Sequence, residues 1–189
     1  QILYLLVGSE MCIRDWYNLY VINILLKILE KFKIDYIQSL PKPLIAVIDL
    51  LAQGKLVKAE QICKLFLQKN PRNVEGMRLL SQIALKLGVL DDAEFLLESA
   101  LEFSPNNSRI RIEYIQVLRK RQNYAGALHQ AKVLLEMDKE NPQFQSVFAI
   151  EAMQSGDFEN ALIVFDKILE KIPEDPVTLT SRGHLLKTC

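Results

Sequence analysis

Ala59, Ala93, Ala127 and Ala161 recur at one constant step of about 34 residues, and no other feature of the chain narrows its possible folds as far. Pro71, Pro105 and Pro173 keep the same step, with Lys139 at the one place where the proline is missing. Gly54, Gly88 and Gly156 keep it too, with Gln122 at the vacant place. Three series of small or helix-breaking residues in one register mark an internal repeat. A unit this short cannot bury an apolar face alone and must stack on its neighbours. Each series has a physical reading. Proline bars further helix at the end of a unit, and glycine tolerates the left-handed turn that ends a helix. Alanine marks a contact between two helices too close for a longer side chain, where overpacking costs about 1–3 kcal/mol.

Four units fit this register, at 40–73, 74–107, 108–141 and 142–175, and the first helix of a fifth occupies 176–189. In the second unit Met77, Leu80, Ala84 and Leu87 form the apolar stripe of a first helix, which Gly88 ends. Asp91 and Asp92 follow at the start of a second helix, where carboxylates can cap free amides and favour the dipole. Ala93, Leu96, Leu97, Ala100 and Leu101 make its buried face, and Pro105 closes the unit. Phe66, Leu97, Tyr124, Phe148, Phe158 and Phe165 are expected to fill the core between helices.

In these residues, the region 40–189 resembles the tetratricopeptide repeat family. The resemblance implies an all-α fold, a right-handed superhelical solenoid of antiparallel helix pairs. Lys139 and Gln122 depart from the family pattern, and the tryptophan that often begins the first helix is absent. The third unit carries both substitutions and is expected to have the least sharply defined boundaries.

The ends read differently. The segment 7–15, Val-Gly-Ser-Glu-Met-Cys-Ile-Arg-Asp, resembles a translated sequencing adapter, so 1–15 is read as a non-native leader. Residues 16–39 follow as a leading helix of uncertain status; Leu25, Ile28, Leu29 and Phe32 fall on one helical face. At the other end, Gly183-His184-Leu185-Leu186-Lys187-Thr188 resembles a helix of bacterial proteins that join tetratricopeptide repeats to a C-terminal sulfotransferase domain. That likeness implies the repeat arm of a larger enzyme; the alternative is a stand-alone scaffold for assembly or signalling. Leu179, Leu185 and Leu186 would leave an apolar end through which copies self-associate.

Composition excludes more than it selects. The 23 basic and 23 acidic residues cancel, which gives no long-range pull toward nucleic acid or an anionic membrane. No apolar stretch reaches the roughly 20 residues of a spanning helix. Cys12, Cys63 and Cys189 show no C-x-x-C spacing, and Cys63 falls where the repeat wants a small core residue. A reducing, cytoplasmic setting follows as the simplest expectation. His129 and His184 form no ligand motif, and no phosphate loop or nucleophile motif is present. No catalytic residue, cofactor or metal is expected.

What remains is a surface. By the family resemblance, the first helices line a concave groove, and here they offer Arg78, Gln82 and Lys86, then Arg109, Glu113, Gln116, Arg119 and Lys120, then Gln143 and Ser146. The basic bias of Arg78, Arg109, Arg119 and Lys120 suggests a protein or peptide ligand of acidic character. Relatives that clamp a C-terminal carboxylate use lysine, asparagine and arginine at places that hold Arg78, Gln82, Glu113, Gln143 and Ser146 here. Glu113 would repel that carboxylate, so the clamp is rejected.

Overall fold

The computed structural model describes residues 22, 24, 26–28, 30, 31 and 34–188. The leader expected at 1–15 lies outside them, as do Leu25, Leu29 and Phe32 of the leading helix. The chain divides into two compact units, one ending at Ile45 and the other beginning at Ala46. Within the first, residues 34–39 are helical (α1). The helix α2, Lys42–Ala52, spans the division.

From there every element is helical: α3 Leu56–Lys69, α4 Val74–Leu87, α5 Leu90–Phe103, α6 Ser108–Lys120, α7 Tyr124–Met137, α8 Pro142–Gln154, α9 Phe158–Lys171 and α10 Pro176–Thr188. The pairs α4/α5, α6/α7 and α8/α9 pack as antiparallel hairpins, and α3/α4, α5/α6, α7/α8 and α9/α10 join one pair to the next. The fold is all-α, as the repeat predicts. Ala59, Ala93, Ala127 and Ala161 are each fully buried, which is what a close helix contact demands.

The helix starts are set by a series that the alanines and prolines overshadow. Asn73, Asn107, Asn141 and Asp175 share the step of the alanines. Asn73 Oδ1 accepts from the Gly76 amide at 2.8 Å, Asn107 Oδ1 from Ile110 at 3.1 Å and Asn141 Oδ1 from Gln143 at 3.0 Å. Asp175 Oδ2 accepts from Thr178 at 2.8 Å. Each satisfies an amide that the first turn leaves without a partner.

The turn of the third unit closes like that of the second, while its second helix ends at Asp138 without the backbone cap bond that Asn70, Ser104 and Ile172 make in the other units. Gln122 adopts φ +60°, close to the +80° of Gly88. The same closing bond forms in both units: Val89 N to Ala84 O at 2.9 Å in the second, Asn123 N to Leu118 O at 2.9 Å in the third. Lys139 is accommodated because Gln145 Nε2 donates to its carbonyl at 2.6 Å, just as Arg111 Nη2 donates to Pro105 O at 2.6 Å one unit earlier.

Other expectations need correction. Asp91 and Asp92 sit inside the first turn of α5, whose N-cap Val89 makes no side-chain bond; Asp91 instead pairs with Arg121. Tyr124 and Phe158 begin their helices 36% and 37% exposed, on the rim of the core, while Leu97, Phe148 and Phe165 are buried in it. Leu87 is 41% exposed and lies off the buried stripe of α4. In α10, Leu185 is buried, Leu179 and Leu186 are about half exposed, and a Cβ added at Gly183 would meet nothing within 4 Å. Cys63 is buried, donating to Gly76 O at 3.3 Å, and burial pushes its thiol up to about 11, which suits packing and not reactivity.

Candidate functional site: a groove across the first helices

The register puts α4, α6 and α8 in sequence as first helices of successive units, and a cavity of about 520 Å³ opens across them. That size falls within the roughly 300–1,000 Å³ of ligand pockets. Gln82, Arg109, Glu113, Gln116 and Gln143 line it, all expected from the sequence. Lys86 and Lys120 are exposed but lie outside its lining, as do Arg78 and Arg119. The apolar part of the wall is one the sequence reading misses: Leu85, Ile112, Val117 and Phe144. Leu85 and Ile112 occupy groove-facing places by the family register, so the signal exists, masked by polar neighbours.

The charges are arranged unlike the expectation. Arg78 is 1% exposed and is held between two acids, Nε to Glu75 Oε2 at 2.8 Å and Nη1 to Glu113 Oε1 at 3.0 Å. Gln82 Nε2 donates to the same Glu113 oxygen at 3.1 Å, and Arg109 Nε lies 3.7 Å from it. Two guanidinium groups thus meet two carboxylates, and the local sum is zero. Farther along, Arg119 Nη2 pairs with Glu151 Oε1. Glu151 is fully buried, and burial raises its carboxyl above the usual range while Arg119 pulls the other way. The basic bias read from Arg78 and Arg119 is therefore neutralised inside the protein, and the expectation of an acidic ligand loses its basis there.

Among the described residues, no group of His, Cys, Asp and Glu is placed to hold a metal ion, and no helix is long and apolar enough to cross a membrane. His184 and Lys187 line a separate cavity of about 510 Å³ with Met153, Gln154 and Phe158, and His129 is exposed on α7.

Comparison with solved structures finds the same fold at low identity. YrrB, described as a TPR protein with an unusual peptide-binding site, is 16% identical, with 75% of this chain and 73% of that one covered and a TM-score of 0.64. MamA (41-end) from Desulfovibrio magneticus RS-1 is 15% identical over 76% of this chain and 81% of that one, with a TM-score of 0.67. TTC0263 from Thermus thermophilus is 20% identical over 92% and 96%, with a TM-score of 0.61. No curated protein matches. At the family level, residues 64–178, more than half the chain, match the family described as the cytochrome c-type biogenesis protein H TPR domain. With the buried alanine series, the paired helices and this match together, the chain belongs to the tetratricopeptide repeat proteins, in the family of the cytochrome c-type biogenesis protein H TPR domain.

Proposed function

We propose that this interaction module holds a partner polypeptide in the groove across α4, α6 and α8, in the service of cytochrome c biogenesis. The observation that carries the reading is the cavity itself, whose lining mixes carboxamides with aliphatic side chains on the face where successive first helices align. The family match supports the biological setting, and the peptide-binding site of YrrB, which shares the fold, supports a peptide as the ligand. An attached sulfotransferase domain rests on the 183–188 resemblance alone, and these matches add nothing to it. The clamp for a C-terminal carboxylate stays rejected, because Glu113 lines the groove.

The test is peptide display selection on the full chain, followed by binding to two variants. Ile112→Trp fills the cavity, and Phe95→Ala removes a side chain 68% exposed on α5, outside the groove lining. Circular dichroism checks that both fold. Selected peptides are expected to lose binding to Ile112→Trp and keep it to Phe95→Ala. Peptides indifferent to Ile112→Trp, or no enrichment at all, would overturn the groove as the site.

As a second reading, Leu179 and Leu186, 48% and 51% exposed on one side of α10, offer a surface for a second copy. Leu179→Glu/Leu186→Glu should then abolish any concentration-dependent rise in mass by light scattering. A mass that stays monomeric in the unaltered chain removes this reading.

A further inference from the structure

We infer that the groove takes an extended, uncharged segment by its main chain and seats one apolar side chain of that segment between α4 and α6. This rests on the groove being the ligand site.

The charge pattern comes first. Arg109 and Glu113 are the ionised groups of the lining, and they face each other at 3.7 Å. Glu113 Oε1 already receives Arg78 and Gln82. A ligand carboxylate would meet Glu113, and a ligand ammonium would compete with guanidinium groups already in place. A charged side chain therefore finds no net countercharge in the lining, and a neutral segment needs none.

The carboxamides supply the grip. Gln82 and Gln116 stand one repeat apart, at the same place on successive first helices, and both line the cavity. A carboxamide carries an acceptor and two N–H donors, the complement of a peptide group. The bond from Gln82 Nε2 to Glu113 fixes that amide and leaves the Gln82 oxygen to accept a ligand N–H. An extended chain rises about 3.3 Å per residue, so two glutamines one repeat apart along the groove suit two spaced backbone amides of one segment.

The seat is local to one junction. Leu85 and Val117 both line the cavity. At the next junction their places, one repeat on, hold Arg119 and Glu151, which pair with each other. The aliphatic pair of the α4–α6 junction is therefore not repeated between α6 and α8, where an ion pair takes its place, so one side chain is selected and not a row of them.

The test uses blocked heptapeptides with Ser, Thr and Gly flanks and a central Leu, Ala, Asp or Lys, titrated into the full chain and followed by NMR. The Leu peptide should move the side-chain amide resonances of Gln82 and Gln116 and bind about tenfold more tightly than the Ala peptide. The Asp and Lys peptides should bind more weakly still. N-methylation of the two spaced backbone amides should weaken the Leu peptide about fivefold or more, and Gln116→Leu should erase part of that sensitivity. Preference for Asp or Lys, indifference to N-methylation, or shifts absent from Gln82 and Gln116 would each overturn the inference. Those results leave the groove reading intact as long as display-selected peptides still lose binding to Ile112→Trp, so the two failures are distinguishable.

Discussion

Two junctions of the same stack solve the same packing problem with opposite chemistry. Between the second and third units, Leu85 and Val117 meet the groove as aliphatic side chains. Between the third and fourth, the equivalent places hold Arg119 and a fully buried Glu151. The backbone accepts both because the helices are positioned elsewhere, by the buried alanines and the asparagine caps. The aliphatic pair lines the cavity, and at the next junction an ion pair takes its place. Repeat geometry is thus a shared frame, while the character of each step along the groove is chosen locally.

The largest effect should come from breaking the ionic junction on one side. Arg119→Leu leaves the Glu151 carboxylate buried without its partner and should cost about 3–5 kcal/mol at neutral pH. Converting the junction to its neighbour's chemistry, Arg119→Leu/Glu151→Val, should restore wild-type stability or exceed it. Chemical unfolding of the three proteins decides this, and a double variant as weak as the single one would show that the junctions are not interchangeable. The pH dependence has a fixed sign. Burial raises the folded-state value of Glu151 above the ordinary 4.5, so the neutral acid fits the core and the cost accumulates as pH climbs from 4.5 to that raised value. Arg119→Leu should accordingly close most of its deficit as pH falls back toward 4.5.

Next in size, Ala127→Leu should destabilise by about 1–3 kcal/mol through overpacking, while the exposed Ala125→Leu changes little. Equal unfolding midpoints would deny that the alanine contact fixes the frame. A smaller effect is expected at the turn of the third unit. Gln122 holds φ +60°, a conformation that costs a side-chain-bearing residue about 1–2 kcal/mol, so Gln122→Gly should stabilise by about 1 kcal/mol. The reverse change, Gly88→Gln, should cost a similar amount. Smallest of all, Lys139→Pro should gain about 0.5 kcal/mol by restricting the unfolded chain, readable as a slight rise in melting temperature.

The frame is legible in the sequence because its causes are local and repeated. An alanine that touches a neighbouring helix, or a glycine with positive φ, leaves its mark once in every unit. Asn73, Asn107, Asn141 and Asp175 leave an equally regular mark that is easily passed over, since asparagine and aspartate look like ordinary loop composition until a helix start is placed beside them. The third unit is expected to blur because its turn and closing residues are unusual, yet backbone and side-chain bonds within the repeat hold Gln122 and Lys139 in place. At the site, Gln82, Arg109, Glu113 and Gln116 are legible as groove residues from their places in the unit. The fates of Arg78 and Arg119 are not. Whether a guanidinium faces solvent or a carboxylate 35 or 32 residues away depends on side-chain reach across helices, which no periodicity encodes.

One member of the cap series behaves unlike the rest. Asparagine does not titrate, so the caps of α4, α6 and α8 are indifferent to acid. Asp175 does, and its bond to Thr178 holds its carboxyl below the ordinary 3.8. That anchoring is fully present above 3.8 and vanishes as pH falls through the lowered value. Acidification therefore weakens the cap of α10 while the neutral caps of α4, α6 and α8 hold, so one start in an otherwise uniform series answers to a proton.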